Sequence, residues 1–202
     1  MNSENIPAKK LIATHDSATG EKPTWWSALL TPFARTQGKL IGEQFACGAS
    51  LYDIRIKKVF GVWRCAHGWW FTRRTAADIM SELDFYAKCG YDIRVMITYE
   101  GRVQNAAEFV EYVKQLKAQF PSVRYGAAYA KYGRDANGLK VVYSEPLIPA
   151  DKDWCPYPTE QAFLPLDGRS WHTYIPLPWL WKMLYFRHVE FDDKVYRFVD
   201  FL

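Results

Sequence analysis

Hydrophobic and polar residues repeat along the chain with two periods, one typical of strands and one typical of helices. Short apolar or alternating runs predict strands at 10–14, 50–56, 62–66, 92–99, 123–132, 139–143 and 196–201. Longer runs with apolar residues three or four positions apart predict helices at 25–47, 76–89, 106–120 and 179–185. The chain between 144 and 178 is rich in proline and aromatic residues, which predicts a long loop.

The order of these elements predicts the fold class. Strands that alternate with helices of about 15 residues indicate βα units and a parallel sheet. The 202 residues contain no linker-like stretch, so we expect one domain over 1–202. An eight-fold barrel would be compressed at this length. We therefore expect an α/β fold, a compact and distorted βα barrel of the TIM type in which some helices are missing or degenerate.

Composition and charge narrow the classes of partner. The net charge is +4, and lysine and arginine are scattered in short pairs, so no nucleic-acid partner is expected. No apolar stretch approaches about 20 residues, which excludes a membrane-spanning helix. The N-terminus lacks the basic and then apolar order of a secretory signal, so the chain is either cytoplasmic or secreted after removal of a leader. We expect a monomer.

Aromatic residues and cysteines each leave a structural question. Phe, Tyr and Trp make up 17% of the chain, with tryptophans paired at 25–26, 69–70 and 179/181. These residues either pack in the core or provide peripheral membrane contact through Trp and Tyr, which favour the level of the lipid headgroups. The cysteines are Cys47, Cys65, Cys89 and Cys155. They show no CxxC spacing, so we expect buried free thiols and no zinc site.

Polar side chains with catalytic potential follow the predicted strands. His15 and Asp16 follow the first strand, while Arg55, His67 and Glu100 lie at the ends of later ones. Two imidazoles and a guanidinium suit displacement at a phosphodiester. One imidazole can deprotonate the nucleophile and the other can protonate the leaving oxygen, while the guanidinium neutralises the phosphate.

Three motifs carry a resemblance to a known family. Residues 13–17 (ATHDS) resemble a G-T-H-D-S motif, residues 37–55 a Q…I.EQL..G.R..DIR stretch, and residues 65–68 (CAHG) a second His-Gly site. Together they resemble the X-domain family of phosphatidylinositol-specific phospholipase C, of the bacterial, metal-independent type. The resemblance covers about residues 10–101. It implies a barrel enzyme that cleaves a glycerophospholipid to diacylglycerol and a cyclic inositol phosphate.

The resemblance also implies roles for single residues. His15 would be the general base on the inositol 2-hydroxyl, and His67 the general acid to the diacylglycerol oxygen with Asp16 as its electrostatic partner. Arg55 would bind the phosphate, with Asp53 beside it.

Further residues are implied around these. The family places a carboxylate on a late strand to orient the base histidine. Asp200 is the candidate here, with Asp192 and Asp193 as alternatives. Glu100 and Lys131, like Asp53, are candidates for substrate binding, Lys131 through headgroup phosphates.

Metal dependence is the main choice left open. Calcium-dependent relatives carry a carboxylate where this chain has Arg55, and a guanidinium supplies no oxygen ligand, so no metal cofactor is expected. Glu100 stands where those relatives have Glu and bacterial ones tend to have Lys. Calcium is therefore the alternative, although an ion pair of Glu100 with Arg55 or contact with inositol hydroxyls is favoured.

Two other functions remain open from the sequence. One is a metal-dependent hydrolase of the same superfamily, resembling glycerophosphodiesterases, with Asp53 and Glu100 as metal-binding carboxylates. The other is a catalytically inactive lipid-binding or structural barrel. The partner expected for an active enzyme is a phospholipid or another inositol phosphodiester.

Overall fold

The structure, a computed structural model, describes residues 11–101, 105–130, 133–134, 140–141, 146–148, 188–192 and 196–200. Its strands are β1 (Leu11–Thr14), β2 (Ala49–Val59), β3 (Val62–His67), β4 (Trp70–Thr75), β5 (Arg94–Tyr99), β6 (Arg124–Ala130), β7 (Gly133–Arg134), β8 (Lys140–Val141), β9 (Pro146–Ile148), β10 (His188–Asp192) and β11 (Tyr196–Asp200). Its helices are α1 (Thr31–Ala34), α2 (Ile41–Ala46), α3 (Ala76–Lys88) and α4 (Ala106–Gln119), with 3₁₀ turns at Ser17–Gly20 and Ala28–Leu30.

The main sheet has the strand order β10-β11-β1-β2-β5-β6-β9. The five central strands, β11 to β6, are parallel, and both outer strands are antiparallel to their neighbours. The long strand β2 continues into an antiparallel meander with β3 and β4. The predicted α/β class is confirmed. The sheet is mixed rather than purely parallel, and the described strands form an open path and no closed barrel.

Helices α3 and α4 supply one wall of the core. On α3 the buried residues Ile79, Met80 and Leu83 recur at helical spacing, and on α4 Phe109 and Val113 do the same. These side chains cluster with apolar residues of β2 and β5. Helices need such a packed face, because propensity alone rarely stabilises them in water.

The ends of α3 follow the sequence signals. Thr75 is the N-cap: its hydroxyl accepts a hydrogen bond from the Asp78 amide at 3.1 Å, and its own amide donates to Asp78 Oδ2 at 2.7 Å. The helix ends before Gly90, which has φ +93°, a conformation that favours glycine. The predicted helices at 76–89 and 106–120 are therefore confirmed to within a residue or two.

The predicted long helix at 25–47 is wrong. The chain there forms a 3₁₀ turn and the two short helices α1 and α2. One cause is that Thr19 Oγ1 accepts hydrogen bonds from the backbone amides of Thr36 and Gln37, both at 3.0 Å. Those amides are then not available to a continuous helix. Gly38 weakens it further.

Other local expectations also need correction. Strands β4, β7, β9 and β10 were not predicted, and β9 lies inside the segment predicted as loop. Two of the three described cysteines, Cys47 and Cys89, are exposed, and only Cys65 is buried. The predicted helix at 179–185, most of the 144–178 segment, and Cys155 lie outside the described residues. No helix in the described ranges combines the length and apolar character that a membrane crossing requires.

Candidate active site

The turn after β1 places His15 and Asp16 at the carboxyl edge of the parallel strands. Asp16 has φ +45° and ψ +46°, a left-handed conformation that Asp tolerates better than most residues. Its amide donates to Asp53 Oδ2 at 3.2 Å, and its carbonyl accepts from the Thr19 amide at 2.8 Å. These bonds turn the chain sharply, and the Asp16 side chain is buried.

Gln37 fixes this turn to the neighbouring strand. Its Nε2 donates to the carbonyl of His15 at 2.9 Å and to the carbonyl of Val199 on β11 at 2.7 Å. The His15 amide donates to the same Val199 carbonyl at 3.2 Å. Gln37 is fully buried, so its amide is held by contacts rather than by water. This glutamine lies in the motif at 37–55, but no local pattern assigns it a role.

Strand β2 brings Asp53 and Arg55 to the same place. They are two residues apart on a strand, so both side chains lie on one face of the sheet. Asp53 Oδ2 accepts from Arg55 Nε at 3.1 Å, and its Oδ1 accepts from the Thr98 hydroxyl of β5 at 3.3 Å. With its contact to the Asp16 amide, Asp53 ties the turn after β1 to two strands.

Arg55 is the centre of the cluster and is only 3% exposed. Its Nε closely contacts Asp16 Oδ1 as well as Asp53. Its Nη2 closely contacts His15 Nε2, and its Nη1 lies 3.5 Å from Glu100 Oε1. A guanidinium only donates hydrogen bonds, so His15 Nε2 is the acceptor and carries the lone pair. The ion pair with Glu100 that the sequence favoured is present.

Glu100 links the cluster to the turn between β3 and β4. It follows β5, and its Oε2 accepts from the Gly68 amide at 2.6 Å. Gly68 has φ +63° in the tight turn that joins His67 to Trp70. Because Glu100 contacts both this turn and Arg55, it sets where the turn lies relative to the guanidinium.

His67 completes the cluster from the opposite side. Its Nδ1 donates to the Ala34 carbonyl at 2.7 Å, which leaves Nε2 as the second ring nitrogen for other partners. Asp16 Oδ2 lies 3.6 Å from His67 Nδ1 and 3.6 Å from His15 Nε2. The buried carboxylate therefore stands between two partly exposed imidazoles, next to a buried guanidinium.

The two carboxylates nearest the histidines have pKa values that shift in opposite directions. Burial alone would raise the pKa of Asp16, but the charges of Arg55, His67 and His15 outweigh it and lower the pKa below its usual 3.8. Burial raises the pKa of Glu100 above 4.5, and Arg55 and His67 offset this only in part. Carboxylates whose pKa values move apart can hold different protonation states at one pH.

A divalent cation does not fit this cluster. His15, Asp16 and Asp53 place ligand atoms within 4.8 Å of one another, which is a suitable donor set by residue type. However, the Arg55 guanidinium contacts both of these carboxylates and Glu100 as well. Calcium needs six to eight oxygen ligands, and a fixed positive charge amid the carboxylates repels it. The calcium alternative therefore lacks support in the geometry.

The remaining candidate residues are less fully described. Asp200 is the last residue of β11 and follows Val199, which pairs with Thr14 in the parallel ladder. Its backbone thus lies beside the turn that carries His15, and on the other side of β11 it pairs with His188 of β10. Asp192 ends β10. Lys131 and Asp193 lie outside the described residues.

The two tryptophans of each described pair differ in their exposure to solvent. Trp25 and Trp69 are exposed, Trp26 is partly buried, and Trp70 is buried. The pair at 179/181 lies outside the described residues. Core packing therefore accounts for Trp70, whereas membrane contact through the exposed Trp25 and Trp69 stays a prediction.

Comparison with known proteins finds a distant structural likeness. No family model matches the chain, and no curated protein does. Among solved structures, it is similar to a phosphatidylinositol-specific phospholipase C from Listeria monocytogenes, with 18% identity, a TM-score of 0.48, and coverage of 72% of this chain and 47% of that one. For a phosphatidylinositol-specific phospholipase C from S. aureus the values are 17%, 0.46, 67% and 54%.

The chain thus spans about half the length of the solved structures it matches. At such identity and TM-score the likeness carries no argument about activity. The function has to be argued from the residues of the site.

Proposed function

We propose that the protein is a metal-independent phosphodiesterase of the phosphatidylinositol-specific phospholipase C type, which releases diacylglycerol and a cyclic inositol phosphate. The observation that carries the proposal is the placement of Asp16 between His15 and His67, with Arg55 against the same carboxylate. A general acid, a general base and a fixed cation at one point are the groups that phosphodiester displacement needs.

His15 acts as the general base in this proposal. Its Nε2 carries the lone pair and faces Arg55, so the inositol 2-hydroxyl has to approach beside the guanidinium. Transfer of the hydroxyl proton to Nε2 lets the oxygen attack the phosphorus of the same headgroup. The ring proton on Nδ1 then needs an acceptor. Asp200 is the proposed one, because its backbone lies beside this turn.

His67 acts as the general acid. The Ala34 carbonyl holds its Nδ1 proton, so a protonated ring presents Nε2 to the diacylglycerol oxygen. As the bond from phosphorus to that oxygen breaks, the proton on Nε2 passes to the oxygen. Asp16 Oδ2 lies 3.6 Å from His67 Nδ1, and Asp16 is the proposed electrostatic partner of this ring.

The charge balance of the site bears on how a phosphodiester can enter it. Three buried carboxylates, those of Asp16, Asp53 and Glu100, surround the one guanidinium of Arg55. A phosphodiester adds a further negative charge. Burial raises the pKa of Glu100, whereas the pKa of Asp16 is lowered, so Glu100 takes up a proton more readily than Asp16. In the proposed mechanism Glu100 takes up a proton when the phosphodiester binds, and the neutral Glu100 leaves more of the Arg55 charge to interact with the phosphate.

The proposed enzyme also needs a barrel that carries the site and residues that bind the headgroup. A distorted βα barrel is the expected framework, because five parallel strands already present their polar edge to the site. Asp53 and Glu100 line the Arg55 side, and Lys131 is proposed to contact headgroup phosphates.

Release of diacylglycerol from phosphatidylinositol, and of the lipid anchor from a glycosyl-phosphatidylinositol, tests the proposal. Wild type is measured in excess chelator beside His15→Ala, with Lys114→Gln, an exposed cation on α4, as the surface control. Activity that withstands chelation, survives in Lys114→Gln and is lost in His15→Ala is expected. Activity that requires added calcium, or no activity on any phosphodiester lipid, would overturn the proposal.

A further inference from the structure

A cavity lies against the β3–β4 hairpin and the segment at 23–26. It has a volume of about 370 Å³, and among the described residues its lining is Pro23, Thr24, Trp25, Trp26, Arg64 and Arg73. None of these residues belongs to the cluster around Arg55. The cavity is thus a place where aromatic rings and two arginines converge outside the candidate active site.

The chain holds this cavity together through backbone contacts. The Thr24 amide donates to the Phe71 carbonyl at 2.9 Å, and the Arg73 amide donates to the Lys22 carbonyl at 2.7 Å. The Trp26 ring packs on Phe71 with ring centroids 4.9 Å apart. The segment with the two tryptophans is therefore fixed along β4, and the cavity is built before any ligand arrives.

The cavity is positively charged. Arg64 Nη1 donates to the carbonyls of Thr72 and Arg73, at 3.3 and 2.5 Å, which anchors its guanidinium at the wall. Arg73 is exposed. Neither guanidinium has a carboxylate partner within 4.0 Å among the described residues. Arg74, the remaining arginine of these two strands, differs, because it pairs with Glu21 and Glu82. Two arginines without a carboxylate suit an anion, and phosphate is the anion whose geometry guanidinium matches best.

The surroundings of the cavity are unusually apolar for a surface. Trp25, in the lining, is 89% exposed, and the neighbouring Phe60 is 86% exposed. Phe60 lies at the tip of the β2–β3 hairpin and touches Trp26 with ring centroids 5.7 Å apart. A free soluble anion gains nothing from such neighbours, whereas a lipid headgroup comes with an interface into which Trp and Phe insert.

We propose that this cavity binds the phosphate of an anionic phospholipid that is not the substrate, with Arg64 and Arg73 as its partners and Trp25 in the interface. The choice of a lipid rests on the proposed function. Arg64 and His67 are three residues apart on β3, about 10 Å along the strand. The proposed lipid site and the proposed general acid are therefore carried by the same hairpin.

The test measures binding without turnover. Vesicles of phosphatidylcholine alone and of phosphatidylcholine with phosphatidylglycerol, which has no inositol to cleave, are titrated with the full chain. The variants are Arg64→Gln, Arg73→Gln and the double change, with Lys114→Gln on α4 as the matched loss of one charge. A basic residue near an anionic membrane contributes about fivefold in affinity, so each arginine change should weaken binding to the anionic vesicles about fivefold. The control should change it less than twofold.

Two further measurements distinguish lipid binding from binding of a free anion, and binding from cleavage. Inorganic phosphate is titrated as a competitor, and a soluble inositol phosphodiester is assayed for cleavage by each variant. Arg73→Gln, whose side chain makes no described hydrogen bond, keeps the test valid if Arg64→Gln unfolds. The inference is overturned if Arg73→Gln binds anionic vesicles as tightly as Lys114→Gln does. It is also overturned if inorganic phosphate, in the absence of vesicles, binds the protein as tightly as anionic vesicles do. Vesicle binding without cleavage of any substrate would reject the proposed function and leave this site standing.

Discussion

Glu100→Gln is the substitution that separates the electrostatics of the site from its catalysis. In wild type the Gly68 amide donates to Glu100 Oε2 at 2.6 Å. A Gln side chain has nearly the same shape and keeps an oxygen that can accept this hydrogen bond. It removes a buried charge that shares Arg55 with Asp16 and Asp53. The guanidinium is not left unpaired, so the variant is expected to fold.

The magnitude follows from proton linkage. Because burial raises the pKa of Glu100 in the folded protein above 4.5, the native state keeps a proton that the unfolded chain has already released. The stability that Glu100 contributes is complete below pH 4.5 and is lost as the pH rises through the folded value. Over that interval the free energy of unfolding of wild type should fall relative to the variant by up to about 1.4 kcal/mol per pH unit.

Asp16 does not obscure this result. Its pKa is lowered, so the stability it contributes is present above 3.8 and is lost only as the pH falls through its folded value. That interval lies below the one for Glu100, and Asp16 is present in both proteins. The difference between wild type and Glu100→Gln above pH 4.5 therefore belongs to Glu100.

Urea unfolding at a series of pH values measures the effect. Glu111→Gln, an exposed glutamate on α4, is the matched control and should stay parallel to wild type at every pH. The reasoning is refuted if Glu100→Gln also runs parallel to wild type above pH 4.5, because Glu100 would then titrate normally in spite of its burial.

Three further predictions concern the site. His15→Ala and His67→Ala should each lower kcat about 10²–10⁴-fold at an unchanged urea midpoint, and a loss below tenfold in either would remove that residue from the proton transfers. Arg55→Lys keeps a charge but not the four contacts of the guanidinium, so kcat should fall about 10²–10³-fold; near-normal turnover would mean that a point charge is enough. Gln37→Leu removes the shorter of the two hydrogen bonds to each of the carbonyls of His15 and Val199, and should lower the free energy of unfolding by about 1–3 kcal/mol. An unchanged midpoint in urea would contradict that last account.

The sequence predicted the elements that local pattern controls. Thr75 and Gly90 mark the ends of α3 because capping and left-handed conformation are properties of the residues themselves. The helix predicted at 25–47 was wrong for the opposite reason. Its apolar residues have helical spacing, but Thr19, which precedes the segment, accepts hydrogen bonds from the Thr36 and Gln37 amides that the helix would need.

The site divides in the same way. The motif residues His15, Asp16, Arg55 and His67 are the ones that the fold brings together, although their roles stay predictions. Gln37 was overlooked because its value lies in a contact with Val199, 162 positions away. The Gly68 contact of Glu100 spans 32 positions and depends on how the β3–β4 turn packs against β5. Sequence spacing carries no information on either distance.

The β4 strand was missed because its sequence is polar as well as aromatic. Residues Trp70–Thr75 include two arginines, and only the pairing with β3 orders them into a strand. That strand carries Arg73 and supports Trp26, so the cavity proposed to bind lipid could not be anticipated from the sequence.

The most direct test of the central claim compares phosphatidylinositol with its analogue that lacks the inositol 2-hydroxyl. Phosphorus NMR of the products, in excess chelator, identifies the bond that forms. The account predicts a cyclic inositol phosphate from phosphatidylinositol, formed by wild type and not by His15→Ala, and no cleavage of the analogue. Cleavage of the analogue at a comparable rate, or a product that is an acyclic phosphate from the start, would contradict attack by the 2-hydroxyl.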